Sequence, residues 1–473
     1  MKKFTKILLI GCLLVTVSCN NWLDVDPKSQ VKDKDLFASE MGFKEALSGV
    51  YSLMTKEALY GKELTFGWLG VLGQEWTSVP YNYEDDQKYD FENAASEVRI
   101  DSVCTGLYNA IANANKLLKE LEGKENLFSG DNYFIIKGEV LALRAYLHFD
   151  LLRIFGASCT VGMERIAIPY VTEYAPTIFP QEKVGDFVGK VLKDLQDAAK
   201  CLENDPILTG RTVSEIDDNG YLMNRQVHLN YYAVKGLMAR VYLYKGDYAN
   251  AEVCAKEVIG SGCFEWVKQE NLTNESVADL TFSTEHLFAL NIVTLGNIVD
   301  KYLDGGNNSF ALEESRLSEY YGSSYDYRYL YLFKTGVGMS NTLRYLKKYD
   351  QLESVSWAQS YRNKLPLICL PEMYYILAEC RYHSSGDVLE PLNEVCRHRG
   401  VADLSEADLS AFETLLLAEY RKEVIGGGQL FFQYKRLNRS VVPGTDVDLA
   451  GEGRYVIPMP KEELENPGWV SNQ

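Results

Sequence analysis

The sequence predicts a mainly α-helical protein. Its spine is a set of tetratricopeptide-like helix pairs forming an α-superhelical scaffold with long irregular loops and a few short strands. Two observations carry this: apolar residues at helical spacing through most of the N-terminal half, and two segments with the small-and-large pattern of a tetratricopeptide pair. A third is the pair of Gly-, Asn-, Asp- and Tyr-rich stretches between them, at 60–98 and roughly 264–370.

Tyr133 to Phe155 has helical apolar spacing, and Gly156 follows as a stop signal. Val184 to Leu202 is amphipathic, with Val184, Val188, Val191, Leu195, Ala198 and Leu202 on one side. Segment 228–262 is the clearest pair: Ala239, Ala251 and Ala255 let two helices approach, Tyr242 and Val258 fill the gaps, and Gly246-Asp247 makes the turn. A second pair is expected at 372–400, with Ala378, a Gly386-Asp387 turn, Leu392 and Val395; Pro391 lies near the helix start, where proline is tolerated. The helix at 137–155 forms a third pair with the Val184 to Leu202 run. Such pairs bury a continuous core only by stacking. Leu287 to Val293 and Tyr345 to Tyr349 are expected as short strands in the second irregular stretch. Insertions of this length in a helical scaffold are usually functional.

The N-terminus reads as an export signal. Lys2, Lys3 and Lys6 precede an apolar run from Ile7 to Val17, and Thr16-Val17-Ser18 places small residues before Cys19. The run is well short of the roughly 20 residues that span a bilayer. Cleavage before Cys19 and acylation of that residue are therefore expected, which tethers the protein to a membrane by lipid alone. Removing residues 1–18 moves the formal net charge from −18 to −21. A chain this acidic repels phosphate backbones, so nucleic acid is not an expected partner. Eight dispersed cysteines remain, with no CxxC pair; buried thiols are the expected state, and no pairing can be read from their spacing.

Ordered pieces along the chain carry a family resemblance. They are Trp22-Leu23-Asp24-Val25-Asp26-Pro27 after Cys19, then Gly138-Glu139, Leu143-Arg144-Ala145-Tyr146 and Phe149-Asp150-Leu151-Leu152-Arg153. Ile168-Pro169, Ala239-Arg240-Val241-Tyr242-Leu243-Tyr244, Tyr420-Arg421-Lys422-Glu423, Lys435-Arg436-Leu437 and Ile457-Pro458-Met459-Pro460 follow. In this order they resemble the SusD/RagB outer-membrane lipoproteins of Bacteroidetes nutrient uptake. Gly426-Gly427-Gly428-Gln429 departs from the acidic-Gly-Arg pattern of many members and is expected to be a flexible helix ending. The resemblance implies a SusD-like fold and a binding protein rather than an enzyme. It also implies capture of oligosaccharide fragments, with peptide or glycopeptide capture of the RagB type as the variant. The implied partner is a SusC/RagA-like TonB-dependent outer-membrane barrel, and the implied location is the outer membrane, lipid-anchored and surface-exposed. The division expected is 1–18 signal peptide, 19–30 lipid-anchored tether and 31–473 a single SusD-like domain. Within it, 31–263 is helical, 264–370 is a loop-rich ligand-side insertion and 371–473 is a C-terminal helical part.

The residues themselves point to a ligand face in the two irregular stretches. Trp68, Trp76, Tyr81, Asn82 and Tyr83 lie in one; Tyr302, Asp304, Asn307, Asn308, Tyr320, Tyr321, Tyr325 and Tyr327 lie in the other. Aromatic rings suit the apolar faces of sugars, and amides and carboxylates fix hydroxyls. The same rings can equally pack loop onto helix. Arg144, Arg153, Arg397 and Arg399 are expected to hold the helix stack through carboxylate pairs. Glu462-Glu463 and Asp85-Asp86 are expected as solvated turns. There is no HExxH, GxSxG or P-loop, and the five histidines are isolated, so no catalytic residue, metal or cofactor is expected. The rival reading is a tetratricopeptide envelope adaptor that binds only protein.

Overall fold

The structure is a computed structural model that describes residues 34–210, 213, 218–274, 277–306, 308–336, 342–351 and 361–470. Cys19, Asn307, the signal segment and the tether lie outside the described residues.

The helices stack in near-sequence order. α1 (Glu40–Met54) packs on α2 (Ala94–Leu121), and α2 on α3 (Asn132–Phe155). α3 packs on α4 (Val184–Cys201), which meets α5 (Tyr231–Lys245) and its partner α6 (Tyr248–Ile259). Two shorter helices, α7 (Leu295–Tyr302) and α8 (Glu314–Tyr321), lie in the second irregular stretch. α6 then packs on α9 (Leu370–His383), followed by α10 (Leu389–His398), α11 (Phe412–Val424) and α12 (Leu430–Arg436). The helical architecture and the expected pairs are present, and one buried cluster runs from Phe37 to Met459.

α3 is buried on nearly every side because α2, α4 and α5 surround it, which is why its sequence is apolar all round rather than striped. Gly138 permits the α3–α4 approach: a Cβ there would lie 2.7 Å from Leu202 Cγ. The α5–α6 turn follows from its residues. Gly246 takes φ +80 as the C-cap of α5, and Asp247 caps α6 by accepting from the Asn250 amide. The α9–α10 link is longer, as its sequence predicts.

The arginines join the stack as expected. Arg144 on α3 makes two 2.7 Å bonds to Asp194 on α4, and Arg399 grips both Glu285 and Glu423. Arg240 on α5 and Arg436 on α12 pair with Glu372 and Glu379 of α9. Arg153 differs in part: its carboxylate partner Asp150 is one turn back on the same helix, and its tie to another part of the chain is a 2.9 Å bond to Gln429. Arg397 differs, since it is exposed and reaches only half-buried Glu394 on its own helix and exposed Asp403, and so ties no two core helices together.

Strands are short and antiparallel. β1 (Ile166–Pro169) pairs with β2 (Gln181–Lys183). β3 (His286–Asn291) pairs with β7 (Lys364–Cys369). β4 (Leu312–Glu313), β5 (Phe333–Thr335) and β6 (Leu343–Leu346) form a sheet in the order β4-β6-β5. The expected strands appear with shifted ends, and β7 was missed because Pro366 interrupts its apolar run. Among the described residues all eight cysteines are free thiols.

Candidate functional site

The two irregular stretches meet. Ser78 bridges Ala311, exchanging backbone bonds of 3.0 Å, and the Glu313 amide donates to Thr77 Oγ1 at 2.7 Å. Under this seam Phe310 is the hub of an aromatic cluster, with ring centroids 5.1 Å from Tyr83, 6.0 Å from Phe66 and Trp76, and 6.4 Å from Tyr302. The sequence therefore brings together its two candidate stretches through apolar packing rather than through long strands.

Several candidate residues build the site from within instead of facing a ligand. Trp68 begins a short helix (Trp68–Leu72), is fully buried, and donates from Nε1 to Asp86 at 2.9 Å. Trp76 is buried and donates to the Phe66 carbonyl at 2.7 Å. Tyr83 is buried with its hydroxyl 2.9 Å from Glu63 Oε1. Tyr302 is buried and donates to Glu57 at 2.7 Å, and buried Tyr321 donates to the Lys422 carbonyl. For these five, the expectation of open stacking rings is corrected: buried apolar surface outweighs exposure, and each polar tip finds an acceptor inside.

What remains at the surface is narrower. Tyr81 is 86% exposed on a single turn of helix (Tyr81–Tyr83), beside exposed Asn82. Asn308 is exposed across the seam. Tyr325 is 75% exposed beyond the end of α8. Half-buried Tyr320 has its ring 4.2 Å from the Arg421 guanidinium, and Tyr327 is half-buried against Gly400. Asp304 is exposed and pairs with Lys334 at 2.8 Å.

The Tyr81 turn is held rigidly. Arg99 on α2 pairs with Asp86, donates to the Asn82 carbonyl at 3.0 Å, and lies 3.9 Å over the Tyr83 ring. Burial pushes the Asp86 carboxyl up to about 6, with the Arg99 charge and the Ser96 and Trp68 donors opposing it. Asp86 thus corrects the expectation of a solvated Asp85-Asp86 turn, for only Asp85 is exposed. Arg99 carries no local sequence signal: it lies in the second turn of α2, and its carboxylate partners are 13 and 36 residues upstream.

Glu75 is a second surprise. It is fully buried, Oε2 accepts from the Gly426 amide at 2.8 Å, and Oε1 has no partner among the described residues. Burial drives its carboxyl up to about 8, with Lys348 and Arg421 pulling the other way. The Gly426–Gly428 segment is accordingly a packed junction and not a flexible ending. Gly426 and Gly428 have φ +72 and +69, and a Cβ on Gly428 would lie 2.5 Å from the Leu64 carbonyl. Exposed Glu462 and half-buried Glu463 do form a surface turn, as expected.

No group of three or more His, Cys, Asp or Glu side chains is placed to hold a metal ion among the described residues. No helix among them is long and apolar enough to cross a membrane. The surface left open here is a turn with one exposed ring and an exposed amide, backed by buried aromatic packing.

Residues 21–243 match the family described as SusD-like, starch-binding associating with outer membrane. The chain is 24% identical over 269 residues to SusD-like protein P38 of Formosa agariphila, a match covering 56% of this chain and 47% of that protein. It thus spans less than half the length of that relative. The fold is similar to a SusD superfamily protein of Bacteroides thetaiotaomicron, with TM-score 0.72 and 21% identity over 90% of this chain and 98% of the other. It is also similar to a laminarin-binding SusD-like protein, with TM-score 0.64 and 18% identity over 91% of this chain and all of the other. Family match, relatives and fold all point to SusD-like proteins, with the family model covering residues 21–243 of this chain.

Proposed function

We propose that this protein captures oligosaccharide fragments at the outer membrane and delivers them to a SusC-like TonB-dependent transporter. The observation that carries the reading is the Tyr81-Asn82 turn: an almost fully exposed ring beside an amide, on a backbone fixed by Arg99, facing solvent at the seam with Asn308. A preordered ring loses little entropy when a sugar stacks on it, and the flanking amides supply direction. Tyr320 on α8 and exposed Tyr325 beyond its end are further ligand candidates in this reading, and Trp76, Tyr83 and Tyr302 pack around Phe310 behind the seam. Cys19 is the lipid anchor in this reading and keeps the face at the cell surface. No residue is assigned to catalysis.

The test is calorimetric titration of the soluble form beginning at residue 20. Malto-oligosaccharides, β-glucan oligosaccharides and peptides form the panel. Saturable binding by one glycan class supports the proposal. Binding of peptides alone assigns the chain to peptide capture, and binding of neither returns it to the adaptor reading.

A further inference from the structure

A cavity of about 650 Å³ lies away from the tyrosine face, between the β1–β2 hairpin, α2 and the C-terminal segment. Its volume falls in the ~300–1,000 Å³ range of binding sites. Tyr108, Phe179, Pro467 and Trp469 line its wall, and Ile178 and Val470 stand at its mouth. Ile178 is 67% exposed, and Val470, Tyr174 and Leu464 nearby are exposed too. Bare aliphatic side chains around an aromatic hollow are a poor match for sugar hydroxyls and a good one for a partner's apolar side chain.

The fringe is acidic. Glu462, Glu463 and Glu465 follow one another along the C-terminal segment, and none of them forms an ion pair among the described residues. Glu463 lines the cavity, and its carboxylate accepts from Asn466 Nδ2 at 2.9 Å. Trp469 Nε1 is buried without a hydrogen-bond partner among the described residues. The Gln181 side chain fixes the segment by donating to the Val470 carbonyl at 3.0 Å and accepting from its amide at 2.7 Å. The cavity is therefore held open by hydrogen bonds and is not a gap beside a loose tail.

The geometry points to this cavity as the docking site for an extended polypeptide segment of a protein partner, carrying a bulky apolar side chain flanked by Lys or Arg. The apolar side chain fills the hollow and the cations meet the uncompensated carboxylates. Anionic lipid is disfavoured by the same carboxylates. Tyr108 follows Arg99 by nine residues, two and a half turns of α2, so the cavity is on the opposite side of that helix from the Tyr81 turn. Peptide and glycan occupy different surfaces and do not compete.

The experiment titrates the soluble protein with two fluorescein-labelled peptides, KKWKK and EEWEE, read by anisotropy. The first is expected to bind saturably and about tenfold or more tighter than the second, a difference of about 1.4 kcal/mol. Because the whole chain is acidic, cavity variants decide whether that preference is specific. Ile178→Ser, a neutral change at an exposed position, and Trp469→Ala are each expected to weaken KKWKK about tenfold, while Tyr81→Ala leaves it within about twofold. The proposal is overturned by equal affinity for the two peptides, by binding that both cavity variants leave unchanged, or by glycan titrations that only the cavity variants abolish. Loss of glycan binding in Tyr81→Ala with peptide binding intact leaves both readings standing, and each fails independently of the other.

Discussion

Replacing Glu75 with Gln isolates the energetic consequence of burying a carboxyl behind the tyrosine-bearing segment. In the folded chain burial raises this group from 4.5 to about 8. The folded state therefore holds a proton that the unfolded state releases, so wild-type stability falls as pH climbs from about 4.5 to 8. At 1.36 kcal/mol per tenfold, the full loss has an upper bound of about 5 kcal/mol, and most of it falls between pH 5 and 8. Gln cannot ionise, and its amide oxygen can still accept from the Gly426 amide. The stability of Glu75→Gln relative to wild type is thus expected to rise by about 2–4 kcal/mol from pH 5 to pH 8. Urea unfolding of both proteins at pH 5, 6.5 and 8, followed by tryptophan fluorescence, measures it. Any fixed cost of the amide nitrogen shifts all three differences equally, so the slope is the observable. A difference that stays flat across this range refutes the burial argument, and a falling one reverses its sign.

Other expectations follow from the same contacts. Arg99→Ala leaves buried Asp86 without its countercharge and frees the Asn82 carbonyl; it is expected to cost about 3–5 kcal/mol in urea unfolding and to weaken glycan binding. Trp68→Phe keeps most of the ring volume but removes the donor to Asp86, for about 1–3 kcal/mol of stability with glycan affinity unchanged once folded. Arg144→Ala strands Asp194 between α3 and α4 and is expected to cost about 3–5 kcal/mol, read as a lower urea midpoint. Cys19→Ala is expected to move the protein from the membrane fraction to the soluble fraction of cells expressing the full chain, as fractionation and blotting would show.

Helices were legible wherever apolar spacing or cap residues were strong. The 133–155 and 184–202 runs and the Gly246-Asp247 turn correspond to α3, α4 and the α5–α6 link nearly residue for residue. Legibility failed where long-range packing decides the outcome. Residues 264–370 read as loop-rich with two short strands, yet they also contain α7, α8 and further strands, and contacts to distant residues such as Ser78 and Gly426 help order them. The candidate face was readable as a region but not by residue. Tyr81 and Tyr83 are two positions apart with the same chemistry, yet one is open and the other sealed by Arg99 and Glu63. No local pattern separates them, because the difference is made by α2 arriving from outside the segment. The long cavity beside the C-terminal segment had no sequence signal for the same reason: its walls come from three separate parts of the chain.

In the proposed function, glycan capture centres on the Tyr81-Asn82 turn. The deciding measurement is calorimetry of the best-binding oligosaccharide against wild type and Tyr81→Ala. Loss of one stacking ring is expected to weaken affinity about tenfold or more with the fold unchanged, about 1.4 kcal/mol or more. Affinity within about twofold of wild type would contradict the claim and move the capture site elsewhere on the molecule.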